Sequence, residues 1–486
     1  MLKALIKDSA AYAIPAFISR GLSFFLVPLY TRVLSPADYG SLDLFMVFAS
    51  IVNVTIALEV SQGLARFYTG ESDPDRKVTY ASSAFWFSAG CYTLFGVIAL
   101  AFSTTLSAWV MGREGLGIAF RIGLLYIWTN GVFCCVQNQF RWELRSKHYA
   151  VASLLMSFVT AAGAVCLTYI LDWKLEGLLW GMVYGSAAGV FYGLWNLRRS
   201  FRQRFDTASL REMLAFSAPL VLSGISVIIA SYVDRLVINY YLTIDDVGLY
   251  GIGFRLASIV GLLTVGFQGA LTPLIYTYYH EADTPQQLAF IFRVFVAFAL
   301  VVFSAITLFS YDILVLIATP PFHGGTAVVI YLVPATLLAQ MYIFAPGIDI
   351  AKKTHLILWI NVAGAILNAA FNWILIPKMG IAGAGLATML GYLCVFSAYM
   401  TLSQRLYHVP HHWAPLGAAT LITTMVTVAV ASLDQMSPLR WAFNLLALCA
   451  SAAATVSLGL IRIEELSKVR QLLRGRLTSA TAAGKC

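Results

Sequence analysis

The chain has 486 residues, 59% of them hydrophobic and only 11% charged, with a mean hydropathy of +0.78. Soluble domains carry about 25% charged residues, so this composition excludes a soluble enzyme or binding module and predicts an integral membrane protein. The 32 Lys and Arg against 23 Asp and Glu give a net charge of +9, but these cations stand mostly in short loops between apolar runs, which argues against nucleic acid as a partner.

Crossing the hydrocarbon core takes about 20 apolar residues. Runs of that length centre near residues 20, 53, 92, 128, 160, 186, 225, 260, 298, 335, 364, 392, 422 and 450. Backbone groups in lipid must be satisfied within their own segment, so each run is a helix. An all-α integral membrane protein of about fourteen spans is expected. The first run extends from Ala11 to about Thr31 behind Lys3 and Lys7. It is longer than the apolar region of a signal peptide and is expected to stay in the protein. Arg20 stands in its middle, where a cation costs about 2.5 to 3.5 kcal/mol on insertion scales, so it calls for a negatively charged partner.

Basic residues alternate between loops. Lys3 and Lys7 precede the first span; Arg76 and Lys77, then Arg141, Arg145 and Lys147, then Arg198, Arg199, Arg202, Arg204 and Arg211 occupy every second loop after it. Lys352, Lys353 and Arg405 continue the series, and Arg462, Lys468, Arg470, Arg474, Arg476 and Lys485 make the tail basic. The intervening loops hold only Arg32, Arg113, Lys174, Lys378 and Arg440. By the positive-inside rule both termini are cytoplasmic. The seven cysteines form no CxxC pair and, except Cys486, lie inside spans, so they read as small packing residues.

A weak internal repeat runs at an offset of about 205 residues. "FISRGLSFFLVPLYTRVLSPADYGSLDLF" is echoed by "FSAPLVLSGISVIIASYVDRLVINYYLTIDDVGLYGIGF", with Asp38 and Gly40 matching Asp246 and Gly248. "LDWKLEGLLWGMVYG" is echoed by "LIPKMGIAGAGLATMLG", with Gly177 and Gly185 matching Gly383 and Gly391. Each unit holds an even number of helices, so the repeat is parallel, an arrangement in which transporters bind substrate between the halves. The expected organisation is a six-helix bundle over residues 1–205, a second over 206–405, two further spans over 406–462, and a basic cytoplasmic tail over 463–486.

"RGLSFFLVPLYTRVLSPADYGSLDLF" resembles the N-terminal signature of the polysaccharide-biosynthesis flippases, which include O-antigen flippases. These belong to the multidrug, oligosaccharidyl-lipid and polysaccharide exporter superfamily. The motif covers about residues 19 to 45, and the topology extends the likeness over all fourteen spans. The resemblance implies a fold like that of the multidrug and toxin extrusion (MATE) transporters, two six-helix bundles around a central cavity. It implies transport of an undecaprenyl-pyrophosphate-linked oligosaccharide from the cytoplasmic to the outer leaflet by alternating access, for surface polysaccharides such as lipopolysaccharide. It further implies a multi-pass monomer of the bacterial inner membrane, with the lipid-linked oligosaccharide, membrane lipids and polysaccharide polymerase machinery as partners. No cofactor is implied; an H⁺ or Na⁺ gradient or the membrane potential drives the cycle.

Arginine presents a permanently charged fork that matches phosphate oxygens. In the resembling lipid II flippases, helices one, two and eight contribute cavity arginines, and Arg20, Arg66 and Arg255 fall on those helices. Together with Arg293 on helix nine they are the candidate substrate-binding residues, and Glu59 and Asp349 are candidates for ion coupling. Arg121, Asp234 and Arg235 are also embedded in spans. Each candidate has a structural alternative. Arg20 either meets substrate or pairs with Glu59 or Asp43. Arg66, Arg235 and Arg293 stand near helix ends, where arginine can snorkel to headgroups. Glu59 and Arg66, seven apart, share a helix face and can form a local pair.

"GIAGAGLATMLG" opens a span, where small residues permit close packing. His408, His411 and His412 read as a solvated loop, with no metal site. Pro15, Pro28, Pro219, Pro273, Pro334 and Pro346 read as kinks. No phosphate-binding loop appears, so ATP is not the direct energy source, and no catalytic residue is assigned. A cation-coupled drug exporter would favour an acidic cavity, whereas the embedded charges here lean basic. A polytopic glycosyltransferase or ligase would need a sizeable outside loop, and the outside loops are short.

Overall fold

The computed structural model describes residues 15–460 except 16, 20, 23, 203, 352 and 434–438; for 262–270, 272–274, 276–277 and 354 it describes the backbone only. Among the described residues eleven helices are long and apolar enough to cross a membrane. The remaining expected spans, near residues 20, 260 and 450, also fall on helical residues. The described residues fall into two compact units, the first drawn from Met1–Arg255, Leu314–Gly325 and Ala365–Ala387, and the second from Leu256–Ile313, Thr326–Gly364 and Thr388–Cys486.

In chain order the helices are α1 (Val27–Val33), α2 (Pro36–Thr55), α3 (Val60–Gly70), α4 (Pro74–Ala101), α5 (Ser103–Met111), α6 (Gly117–Trp142), α7 (Ser146–Ala164), α8 (Lys174–Leu197) and α9 (Thr207–Tyr241). They continue with α10 (Ile244–Tyr278), α11 (Thr284–Leu308), α12 (Ser310–Ile317), α13 (Thr326–Gln340), α14 (Gly347–Ile350), α15 (Thr354–Met379), α16 (Ile381–Leu406), α17 (Trp413–Ala431) and α18 (Arg440–Ser457).

Helix starts follow local capping chemistry. At α2 the Ser35 hydroxyl accepts from the Asp38 amide at 3.2 Å while the Asp38 carboxylate accepts from the Ser35 amide at 3.0 Å. Thr243 and Asp246 repeat this box at α10, at 3.3 and 3.1 Å. Each box satisfies two otherwise orphaned amides.

Three expected spans are interrupted. The second divides into α2 and α3, because Leu58 and Glu59 take left-handed φ values of 50° and 52°. The Leu58 carbonyl released by the break accepts from the Ser217 hydroxyl at 2.8 Å. The third divides into α4 and α5 at Phe102. The tenth carries Pro334, tightens into a 3-10 turn over Met341–Phe344, and resumes as α14 after Pro346. The Ser403 hydroxyl accepts from the Gly347 amide at 2.8 Å there.

In the first unit α2 and α10 approach closely because both carry glycine at the contact. A β-carbon on Gly40 would stand 2.0 Å from the Ile244 carbonyl oxygen, and one on Gly248 would stand 1.9 Å from that of Pro36. The contact is reciprocal: Pro36 corresponds to Ile244 and Gly40 to Gly248, both 208 residues apart. In the second unit α17 and α18 pack on α11 through buried hydroxyls, with Ser304 bonded to Thr427 at 2.8 Å and to Ser451 at 3.0 Å. Many large apolar side chains remain exposed, among them Leu94, Val97, Phe191, Leu222 and Leu446. On helices of spanning length, apolar surface of this extent suits contact with lipid.

Candidate functional site

The close approach of α2 to α10 brings Asp43, one helical turn beyond Gly40, against Gly251. A β-carbon at position 251 would lie 2.3 Å from Asp43 Oδ2, so the glycine makes room for a carboxylate inside the helix pair. Asp43 then reaches two arginines. Its Oδ2 lies 3.5 Å from Arg235 Nε, and its Oδ1 lies 3.4 Å from an Arg255 terminal nitrogen. Arg235 makes a second ion pair with Asp234 Oδ1 at 3.2 Å, and Asp234 Oδ2 accepts from the Tyr250 hydroxyl.

Both arginines also use their faces. The Arg235 guanidinium lies 4.6 Å from the Phe254 ring centroid, 5.2 Å from that of Tyr232 and 5.4 Å from that of Tyr250. Arg255 lies 4.8 Å over Tyr39. Two arginines and two aspartates balance formally. Their accessibility does not: the Arg235 side chain is 5% exposed and Asp234 6%, whereas Arg255 is 33% exposed. Arg235 is thus a sealed strut held by two carboxylates and three rings, and Arg255 is the most accessible of these charged side chains.

Of the described candidates named from sequence, Arg255 alone falls in this network. Arg20 lies outside the described residues. Arg66 is exposed on α3 and makes no ion pair with Glu59 among the described residues, which removes the alternative of a local pair. The reason is the left-handed break at Glu59, which ends the continuous helical face the two were to share. Arg293 is tenth in α11 and 8% exposed, beside the Phe290 ring at 5.5 Å, so it is not at a helix end and does not snorkel. Arg235, also expected to snorkel, is sealed inside the network. Asp349 is the third residue of the four-residue α14 of the second unit. Arg121 is exposed and donates through Nε to the Ser103 hydroxyl at 3.1 Å.

Sequence reading assigned Asp43 no site role and missed the Asp234–Arg235 pair as a unit. The available signal was that carboxylates inside apolar helices need a partner. The histidine loop also differs from expectation. His411 packs on Phe292 at 4.6 Å and Trp413 at 5.1 Å between ring centroids, because its neighbours are aromatic and not solvent. Burial, with His408 and His412 adding to it, pushes its pKa down to about 4. Among the described residues no group of three or more His, Cys, Asp or Glu could hold a metal ion.

Long apolar helices broken near charged residues, with buried ion pairs inside them, mark a polytopic α-helical membrane protein. The family described as "Polysaccharide biosynthesis protein" matches residues 29–318, and the chain belongs to it. Among curated proteins the chain is similar to the "Lsg locus putative protein 1" of Haemophilus influenzae, 23% identical over 399 residues, spanning 78% of this chain and 95% of that protein. It is also similar to the "Probable low-salt glycan biosynthesis flippase Agl15" of Haloferax volcanii, 23% identical over 394 residues, spanning 79% and 81% of the two. Two solved structures share the fold. One is "Lipid II flippase MurJ, inward closed conformation", with a TM-score of 0.71, 13% identity, and 93% of this chain and 98% of that one covered. The other is an inward-facing MATE family transporter, with a TM-score of 0.65, 15% identity, and 82% and 97% covered.

Proposed function

We propose that the protein is a flippase that moves an undecaprenyl-pyrophosphate-linked oligosaccharide from the cytoplasmic to the outer leaflet for surface-polysaccharide biosynthesis. Arg255 carries this reading. It presents a permanently charged, one-third accessible fork inside a helical network, and a pyrophosphate offers the oxygens that such a fork binds bidentately. Asp43 makes the exchange feasible. When phosphate takes Arg255, the carboxylate keeps Arg235, so no buried charge is left alone; when phosphate leaves, Asp43 recaptures Arg255.

The rest of the proposal concerns the cycle. Two parallel bundles, residues 1–205 and 206–405, alternate access, and the reciprocal contacts of Gly40 and Gly248 support that division. Arg20, Arg66 and Arg293 serve as further phosphate contacts, Glu59 and Asp349 as coupling groups for an H⁺ or Na⁺ gradient. The protein works as a non-enzymatic monomer in the bacterial inner membrane with cytoplasmic termini, delivering its cargo to polymerase machinery. In the Arg235–Arg255 network both carboxylates, Asp43 and Asp234, are engaged by arginine, so a cation-coupled drug exporter would have to take its cargo on Glu59 or Asp349 instead.

The test is surface-polysaccharide output normalised to folded protein. Arg255→Ala should be nearly inactive and Arg255→Lys impaired, since lysine keeps the charge and loses the fork. Normal output per folded molecule in Arg255→Ala would defeat the reading.

A further inference from the structure

Residues 198–206 join α8 to α9, and their backbone is fixed onto α4. The buried Ser82 hydroxyl donates to the Ser200 carbonyl at 3.1 Å and accepts from the Arg202 amide at 2.9 Å. The Trp86 indole donates to the Arg202 carbonyl at 3.0 Å, and the Asp206 amide donates to the buried Ser83 hydroxyl at 2.9 Å. Phe201 stacks on Phe85 with ring centroids 4.5 Å apart. A connection that only carried the chain from one helix to the next would need none of these contacts.

The cations of this segment are not consumed by its acids. From Arg198 to Arg211 the chain carries five arginines and one acid, Asp206. Asp206 caps α9, accepting from the Ala208 and Ser209 amides at 3.3 and 2.8 Å. Arg204 pairs with Asp75 at 3.1 Å. Arg198, Arg199 and Arg202 are exposed and make no ion pair among the described residues. Large apolar side chains border them. Trp195 is 66% exposed, with the Arg198 guanidinium 5.8 Å from its ring, and Phe205 is 54% exposed. Tryptophan near the end of a spanning helix marks the depth of the lipid headgroups. Clusters of about four to eight basic residues immediately beside a span attract anionic lipid. A phospholipid offers both halves of the match, phosphate to the guanidiniums and acyl chain to Trp195 and Phe205, whereas an acidic soluble partner leaves the aromatic surface unmatched.

We infer that the connection from α8 to α9 is a preformed surface for the anionic headgroups of membrane phospholipids. Basic loop charge sets orientation whatever the loop's conformation. Here the backbone is fixed beforehand, which keeps three unpaired arginines on one short stretch and reduces the freedom lost when phosphates bind. The inference rests on the proposed cytoplasmic placement only for the leaflet, which is then the inner one.

The experiment titrates the full-length protein in detergent with phosphatidylglycerol and, separately, with phosphatidylethanolamine, and reads retained lipid by native mass spectrometry. The wild type should retain phosphatidylglycerol in preference. Each arginine near an anionic surface contributes about a factor of five, so replacing Arg198, Arg199 and Arg202 together by glutamine should weaken phosphatidylglycerol binding at least about tenfold and leave phosphatidylethanolamine unchanged. Glutamine at Lys147, Lys353 and Arg405 removes the same charge from other loops and should have little effect. Ser82→Ala changes no charge but releases the backbone, and should weaken phosphatidylglycerol binding by less than the arginine set. Absence of a preference for phosphatidylglycerol, equal loss in the two charge sets, or unchanged binding in Ser82→Ala overturns the inference. Displacement of phosphatidylglycerol by the lipid-linked oligosaccharide overturns it in favour of the cargo. Labelling of Arg202→Cys by an impermeant thiol reagent on intact cells, with the lipid preference intact, overturns the cytoplasmic placement and leaves the headgroup surface standing.

Discussion

Asp43 gives one carboxylate oxygen to each of two arginines, Oδ2 to Arg235 at 3.5 Å and Oδ1 to Arg255 at 3.4 Å. The two bonds differ in what surrounds them. Arg235 is sealed and also held by Asp234, whereas Arg255 pairs with Asp43 and is one-third exposed. Removing one partner of a buried ion pair strands the other, so the more buried acid should matter more for folding. Asp234→Asn is expected to destabilise by about 3 to 5 kcal/mol, and Asp43→Asn by less, because the released Arg255 can draw on solvent. Thermal unfolding of the two variants in detergent checks the order; a larger loss in Asp43→Asn would reverse the assignment of strut and bridge.

The spans were legible because lipid demands long apolar runs, and the starts of α2 and α10 were marked by the matching pairs Asp38 with Gly40 and Asp246 with Gly248. The interior partners were not. Asp43 and Arg235 stand 192 residues apart and Asp43 and Arg255 212 apart, and no local pattern states which residues a fold will bring together. Helices that are apolar all round also conceal their rotation about their own axis. Distance from a run's end put Arg235 and Arg293 near the surface, yet both are buried. The break at Glu59 escaped notice because it uses no glycine or proline.

The α2–α10 contact predicts a graded series of glycine variants. Gly40→Ala and Gly248→Ala place a methyl about 2 Å from a backbone oxygen, which only separation of the helices can relieve. Overpacking of this kind typically costs about 1 to 3 kcal/mol, occasionally more. Gly251→Ala meets the Asp43 side chain instead, which can swing away. It should cost less stability but disturb transport, because the carboxylate then leaves Arg255. Folded yield and polysaccharide output measured together separate the cases; equal loss of both in Gly251→Ala would contradict it.

His411 predicts a pH dependence confined to acid. Its folded pKa is pushed down to about 4 against an ordinary value of 6.5. Above pH 6.5 the ring is neutral in both states and the packing on Phe292 and Trp413 contributes fully. As pH falls from 6.5 toward 4, the unfolded chain takes up a proton that the folded one refuses, so stability declines through that window and levels off below it. His411→Leu keeps an apolar side chain against Phe292 and removes the titration. The melting temperature of the variant should therefore fall less between pH 7.5 and 4.5 than that of the wild type. Parallel curves would show that His411 is not the titrating group.

Glu59 offers a separation of structure from coupling. It has a left-handed backbone, φ 52°, which costs a residue with a β-carbon about 1 kcal/mol or more and costs glycine nothing. Glu59→Gly should therefore raise stability by about 1 kcal/mol, since the break between α2 and α3 is retained and its strain removed. Glu59→Gln keeps the strain and the side-chain shape but loses the titratable group. If the carboxylate takes up and releases a proton during transport, both variants should fold and both should lose polysaccharide output, although their stabilities move apart. If Glu59 serves only to shape the break, Glu59→Gly should transport normally and Glu59→Gln should match the wild type. Output per folded molecule for the pair decides between the two, and normal transport by Glu59→Gln removes Glu59 from coupling whatever the stability of the glycine variant.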